Sequence, residues 1–271
     1  MSASLVKVVQ SATQPKTSLL LLARAPVNAF NTALLLETTE AIQTVEKQHA
    51  NEGWGLVIAS EQHLTSSVFS AGLDLSEMYN RTDQQVATFW SALQEFWMTL
   101  YSTPLATVCA LNGHAPAGGC LTALSCDYRV AAGDQPKALM GLNEAKFGLV
   151  APQWFATSMQ NVVGTRQAER MLQLGEMVSF PQAKQMGLVD ELVPRQEVVS
   201  VAEKRASDWA ANGPWESRHQ SKLLLRQEAV SKLRSGLDKD TERFLAIVKN
   251  ATVQDNLGKY IALLSKPKKA I

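Results

Sequence analysis

One acid and two glycine-bearing turns carry the chemistry that this chain can do. Glu144 lies among Gly141, Leu142, Asn143 and Ala145, about two dozen residues after the run Pro116-Ala117-Gly118-Gly119. A carboxylate among apolar neighbours is costly to bury unless it is paired or used. Glycines at a strand-to-helix turn let backbone N–H groups approach a ligand closely, at the positive end of the helix dipole. A lone base facing fixed N–H donors is the minimum needed to remove a proton next to a carbonyl. A plainer reading fits the same residues: a tight turn at Gly118-Gly119 and an exposed loop acid at Glu144. A second candidate donor is the backbone N–H of Leu73, in Phe69-Ser70-Ala71-Gly72-Leu73-Asp74-Leu75. There Asp74 also reads as a helix cap, and the two readings are compatible.

The elements that must position these residues follow from the hydrophobic pattern. Residues 5–10 and 18–23 are apolar around Gln14-Pro15-Lys16 and predict a hairpin. Pro26 ends the second strand, because it cannot extend a ladder. Asn31 caps a helix in which Leu34, Leu35, Thr38, Ala41, Ile42 and Val45 recur at spacings of three and four. Residues 54–60 are too continuously apolar for a half-exposed strand and predict one buried on both faces. Residues 84–102 predict a helix with Val86, Phe89, Trp90, Leu93, Phe96, Trp97 and Leu100 on one face, a core face and not a stacking platform for bases. Residues 105–111 follow as an apolar run that stops at Asn112-Gly113.

This alternation predicts a mostly parallel sheet with helical crossovers. From residue 153 the pattern turns helical, over 153–163, 166–174, 182–186, 196–211, 217–234 and 240–264, with only 188–193 strand-like. The expected organisation is an α/β core over residues 1–200 and a helical C-terminal region over 201–271. Asn212-Gly213-Pro214 is the only linker-like stretch, and the basic tail 265–271 reads as a frayed terminus.

Composition excludes several classes. In 271 residues with 46% hydrophobic content, 26 Lys+Arg balance 25 Asp+Glu, for a net charge of +1. No global field favours nucleic acid or an anionic membrane. Cys109, Cys120 and Cys126 lie in apolar segments without metal-ligand spacing and read as reduced, buried thiols. His49, His63, His114 and His219 are scattered, so no zinc or other metal site is expected. No apolar run has the length to span a bilayer. The first acid is Glu37; an acid-poor start fits an organellar transit segment, although two strands over 5–24 are the preferred reading.

Three motifs in order, FSAGLDLSEM at 69–78, NGHAPAGGCLTAL with CDYR from 112, and GLNEAKFGLVAP at 141–152, resemble the crotonase (enoyl-CoA hydratase/isomerase) superfamily. The likeness covers about residues 5–260 and is closest to its Δ3,Δ2-enoyl-CoA isomerase branch. It implies a crotonase-like ββα spiral core with a helical C-terminal trimerisation part. It implies an oxyanion hole from the backbone N–H groups of Leu73 and Gly118, and Glu144 as the acid/base. Arg24, Ala25, Val27, Ala71, Leu73, Leu75, Gly118 and Leu142 would bind an acyl-CoA thioester, the turn 24–29 lying along the pantetheine and nucleotide.

Family hydratases carry a second glutamate directly after the Gly-Gly-Cys turn, where this chain has Leu121. Hydration needs two groups and isomerisation one, so the resemblance implies an isomerase that moves the double bond of 3-enoyl-CoA to trans-2-enoyl-CoA in fatty-acid β-oxidation; the alternatives are an enoyl-CoA hydratase or other crotonase-type acyl-CoA enzyme, or a silent CoA-ester-binding protein. No cofactor is implied, since CoA belongs to the substrate. Leu142, Phe147 and Leu149 would desolvate the base and raise its pKa. Lys222 or Arg226 would meet a CoA phosphate, unless they form a solvated helix face. A homotrimer in the mitochondrial matrix is the family expectation; the peroxisome or glycosome is the alternative, and the tail does not end in Ser-Lys-Leu.

Overall fold

The computed structural model describes residues 4–264, so the expected frayed tail 265–271 lies outside the described residues. A hairpin of β1 (Val6–Gln10) and β2 (Thr17–Leu22) leads into α1 (Thr32–Gln48) and β3 (Gly55–Ser60). Then follow α2 (Asp83–Ser102), β4 (Ala106–Leu111), β5 (Ala115–Pro116), α3 (Gly118–Ser125), β6 (Tyr128–Ala132) and β7 (Leu139–Gly141). The remainder is α4 (Gln153–Val163), α5 (Thr165–Leu174), β8 (Val178–Ser179), α6 (Phe180–Gln185), β9 (Glu191–Val193), α7 (Val198–Ala211), α8 (Trp215–Ser235), α9 (Leu237–Val248) and α10 (Ala251–Leu264).

Two sheets form. The large one runs β1-β2-β3-β4-β6-β9, and the small one β5-β7-β8. Only the β1–β2 pair of the large sheet is antiparallel. Every residue of β3 and β4 is buried, which is why both read as unbroken apolar runs. The connections repeat. A strand enters the large sheet, a short extended piece enters the small ladder, and a helix returns. So β3 is followed by Val68, bridged to His114, then α2; β4 by β5, then α3; β6 by β7, then α4. This is the expected ββα spiral. It stacks the ends of three successive short extended pieces, at residues 69–73, 116–118 and 141–144, beside one another.

Helix boundaries follow local chemistry. The Asn31 side chain accepts from Leu34 N–H at the start of α1. Thr82 and Gln85 close a reciprocal capping box on α2. The single helix expected over 240–264 is two. The chain breaks after Val248, and Asn250 Oδ1 accepts from Thr252 N–H to start α10 afresh. Of the strand-like stretch 188–193 only β9 pairs; Leu188 and Val189 are buried in the preceding turn. The expected division after residue 200 falls inside α7, which packs on β2, β3, β4 and β6. One apolar cluster runs from Val6 to Leu257. Among the described residues no helix is long and apolar enough to cross a membrane.

Lys222 and Arg226 do neither of the things expected of them. Lys222 Nζ lies 2.7 Å from Asp127 Oδ2 and donates to the Thr103 and Leu105 carbonyls. Arg226 meets Asp127 Oδ1 at 3.2 Å, donates to the Tyr101 and Ser125 carbonyls, and stacks over the Tyr101 ring. The Lys222 and Asp127 side chains are 6% and 4% exposed, so neither cation is left for a phosphate. Burial pushes the Asp127 carboxyl up, but Lys222 and Arg226 outweigh it and hold it below its ordinary value. Burial in turn lowers the Lys222 ammonium to about 8, Asp127 resisting. This cluster fastens α8 to the ends of α2 and α3.

Asp127→Ala leaves two cations buried without their counter-ion. It is expected to lower stability by about 3–5 kcal/mol, read as an earlier midpoint in denaturant unfolding.

Candidate active site

The turn at Gly72 and the turn at Gly118 lie against each other. Gly72 has φ +84°, and a Cβ there would stand 2.8 Å from the Pro116 carbonyl oxygen and 3.4 Å from the Gly118 nitrogen. A Cβ on Gly118 would stand 2.9 Å from Leu73 Cδ2 and 3.3 Å from the Phe30 ring. Only glycine permits this approach at either position. Between them Ala117 adopts φ +44°, a conformation that costs an alanine on the order of 1–3 kcal/mol. Its N–H donates to the Gly141 carbonyl at 2.8 Å, and its carbonyl accepts from Leu121 N–H to begin α3.

Neighbouring amides are spent on structure. Phe30 N–H bonds Gly72 O, Asp74 N–H bonds Phe30 O, and Ala117 N–H bonds Gly141 O. Among the described residues the N–H groups of Leu73 and Gly118 have no acceptor. Two unspent donors on adjoining turns, one opening a helix, form a site for an oxygen that carries negative charge.

Glu144 starts a single 3-10 turn, Glu144–Phe147, that ends at Gly148 in the left-handed conformation. Its backbone carbonyl accepts from Leu149 N–H. Its side chain has no such use. The residue is 7% exposed, and neither carboxyl oxygen has a hydrogen-bond partner among the described residues. Burial raises its pKa to about 7, with only its own backbone N–H opposing. The Cys120 thiol is pushed above its ordinary range by burial first and by Glu144 next, so the carboxyl faces the start of α3. The exposed-loop reading of Glu144 is thereby excluded.

A cavity of about 670 Å³ joins these features. Of the sequence candidates, Val27, Ala71, Leu73, Leu75 and Glu144 line it; Arg24, Ala25, Gly118 and Leu142 do not. Gly118 sits directly behind Ala117 and Leu73. Arg24 is held at the rim, 2.7 Å from Asp74 Oδ2 and donating to the Ala29 carbonyl. Asp74 also caps the turn Leu75–Glu77 through Ser76 N–H. Leu142, which follows the end of β7, is buried in the core at 1% exposed and not on the cavity wall. The desolvating wall is therefore Phe147 and Leu149, without Leu142. Leu121 is fully buried in α3 and puts no second acid into the cavity.

Sequence reasoning missed much of the lining, four residues of which bear on the chemistry. Tyr260, Ile261 and Leu264 come from α10, and Tyr260 meets the Phe147 ring edge-on at 4.9 Å. No local pattern in 251–264 points to a site more than one hundred residues earlier. His114 also lines the cavity; its position inside the Asn112–Gly119 motif was the available signal. Among the described residues no cluster of three or more His, Cys, Asp or Glu has metal-binding geometry.

Comparison with known proteins agrees with this geometry. The enoyl-CoA hydratase/isomerase family model matches residues 17–265. The chain is 37% identical over 243 residues to human mitochondrial enoyl-CoA delta isomerase 1, covering 90% of this chain and 78% of that protein. It is 39% identical to the Mus musculus counterpart, over 90% and 82%. The crystal structure of human mitochondrial delta3-delta2-enoyl-CoA isomerase superposes with a TM-score of 0.90 at 35% identity, covering 96% and 98% of the two chains.

The raised pKa sets a stability signature. A carboxyl at 4.5 when unfolded and about 7 when folded favours the fold while protonated, and that contribution is lost as pH rises through 7. Glu144→Gln removes the titration. The variant is expected to match the parent below about pH 4.5 and to gain on it up to about pH 7, reaching on the order of 3 kcal/mol. Denaturant midpoints measured across pH check this.

Proposed function

The chain belongs to the enoyl-CoA hydratase/isomerase family, and from that premise we propose that it is a Δ3,Δ2-enoyl-CoA isomerase. The observation that carries this reading is a single buried, unpartnered carboxyl in a mostly apolar cavity that Leu73 lines and Gly118 adjoins, both residues with unspent backbone N–H groups. The thioester oxygen of a 3-enoyl-CoA takes the N–H groups of Leu73 and Gly118. The Glu144 carboxylate removes a proton from C2. The C2–H electron pair forms C1=C2 as the carbonyl π pair moves onto the thioester oxygen, giving a dienolate that keeps C3=C4. The carboxylic acid then returns its proton to C4: the C3=C4 pair takes it, C1=C2 shifts to C2=C3 and the carbonyl re-forms, leaving trans-2-enoyl-CoA. Each backbone donor supports the anion by roughly 3–4 kcal/mol.

One base suffices because the proton leaves and returns on the same face of an extended anion. A pKa of about 7 suits a group that must both accept and release it. Hydration needs a second group to position water, and Leu121 occupies that place with a hydrocarbon. No metal or other cofactor enters these steps, and CoA stays on the substrate. The reaction serves fatty-acid β-oxidation, which must shift misplaced double bonds. The relatives' mitochondrial names support a mitochondrial place, in the matrix. A homotrimer belongs to the same reading: Leu224 and Leu225 on α8 are 85% and 78% exposed, and subunit contact would cover them.

Glu144→Gln is expected to cut kcat on 3-enoyl-CoA by at least ~10³-fold, with CoA-ester binding largely kept. The parent kcat/KM is expected to fall as pH drops through about 7, as the free base protonates. The assay follows the conjugated product from 3-hexenoyl-CoA and 3-dodecenoyl-CoA. Retained turnover in the variant removes Glu144 from its role, and hydration of crotonyl-CoA at a matching rate favours a hydratase. Light scattering is expected to give three times the chain mass.

A further inference from the structure

His114 is the polar side chain of the cavity that the proton shuttle leaves unused. It sits at the start of the small ladder, bridged to Val68 and next to the pair Ala115–Met140. Its ring is pinned: Nδ1 accepts from Leu139 N–H at 3.1 Å. An imidazole whose Nδ1 accepts carries its proton on Nε2 when neutral. Nε2 has no partner among the described residues, yet it is not a sealed atom, and the half-buried residue lines the Glu144 cavity. The ring therefore presents a fixed N–H donor to an otherwise apolar stretch of wall made by Val68, Leu139 and Met177.

Of the other polar side chains of the cavity, Asp74 and Ser76 bond to each other and Asp74 to Arg24; Asn143 adjoins Glu144 in sequence, and Tyr260 comes from α10. Three residues separate His114 from Gly118, two of them in β5, so its backbone stands up to about 10 Å from the oxyanion pair. That distance is beyond C2 and C4, the carbons that exchange the proton. A plain hydrocarbon chain laid there strips water from Nε2–H and offers nothing in return. A chain carrying an oxygen at that depth replaces the water.

We propose that His114 is a specificity-determining residue whose Nε2–H donates to an oxygen substituent on the acyl chain, so that hydroxy- or oxo-acyl thioesters are a favoured substrate class. The proposal rests on reading the cavity as an acyl-CoA site, but its test does not need turnover. Calorimetry compares dodecanoyl-CoA with hydroxydodecanoyl-CoA isomers in which the hydroxyl moves carbon by carbon from the fifth carbon to the chain end. In the parent, one position is expected to bind at least as tightly as the plain chain. In His114→Leu the ratio of Kd values at that position is expected to worsen by about tenfold. His114→Gln, which keeps an amide N–H near the Nε2 position, is expected to restore it. Because the ratio is taken within each protein, a loss of folded fraction cancels. A ratio that is the same in all three proteins at every hydroxyl position overturns the proposal. Absence of turnover on plain 3-enoyl-CoA would instead overturn the isomerase reading and leave these ratios standing.

Discussion

A carboxyl group without a partner stays buried only where the surrounding fold excludes water and supplies no cation. Glu144 is held in that state, and the rest of the structure can be understood as the means of holding it. The large sheet provides a rigid floor, with β3 and β4 buried on both faces. The spiral brings three chain ends side by side. In the proposed function two of them supply donors and the third supplies the base. No Lys or Arg is among the described residues that line the cavity, whose walls are mostly hydrocarbon and aromatic, so the base gains no basic counter-charge that would quench its affinity for a proton. Cations are kept elsewhere: Arg24 is bound by Asp74 at the rim, and Lys222 and Arg226 by Asp127 behind α3.

Much of the fold was legible because its local and long-range demands coincide. The apolar runs of β3 and β4 demand a buried sheet, and the heptad-like face of α2 demands a core helix. Asn31 and Asp74 cap where capping residues are expected. The division at residue 200 was misjudged by composition, because α7 is helical in pattern but belongs to the sheet. The break at 249–250 was hidden because two amphipathic helices in phase look like one until the Asn250 cap is considered.

The site was half legible. Glu144, Leu73 and Gly118 follow from chemistry that only a few residue types perform, and their motifs are short and local. Ala71 and Leu75 lie within those motifs, and Val27 in the turn 24–29 that the family resemblance implied. Leu142 failed because the chain leaves β7 at Gly141 and turns into the 3-10 turn at Glu144, and nothing local says that the side chain between them enters the core. Lys222 and Arg226 failed because a basic residue on a helix carries no mark of what it will face. His114 was read only as one of four scattered histidines that suggest no metal site, since its bond to Leu139 depends on the β5–β7 pairing. Tyr260, Ile261 and Leu264 could not be read at all, since nothing local says where α10 will dock.

The last of these has a consequence for the order of biosynthesis. A ribosome adding roughly 5–20 residues per second exposes Glu144 many seconds before α10 has been made. Until that helix docks, the wall bearing Phe147 lacks its Tyr260 cover, water reaches the carboxyl, and the acid is an ordinary one. The nascent chain can therefore collapse around its sheet without yet bearing the cost of a dehydrated acid. On the proposed function, the site is completed by α10, after the scaffold able to tolerate it is already in place.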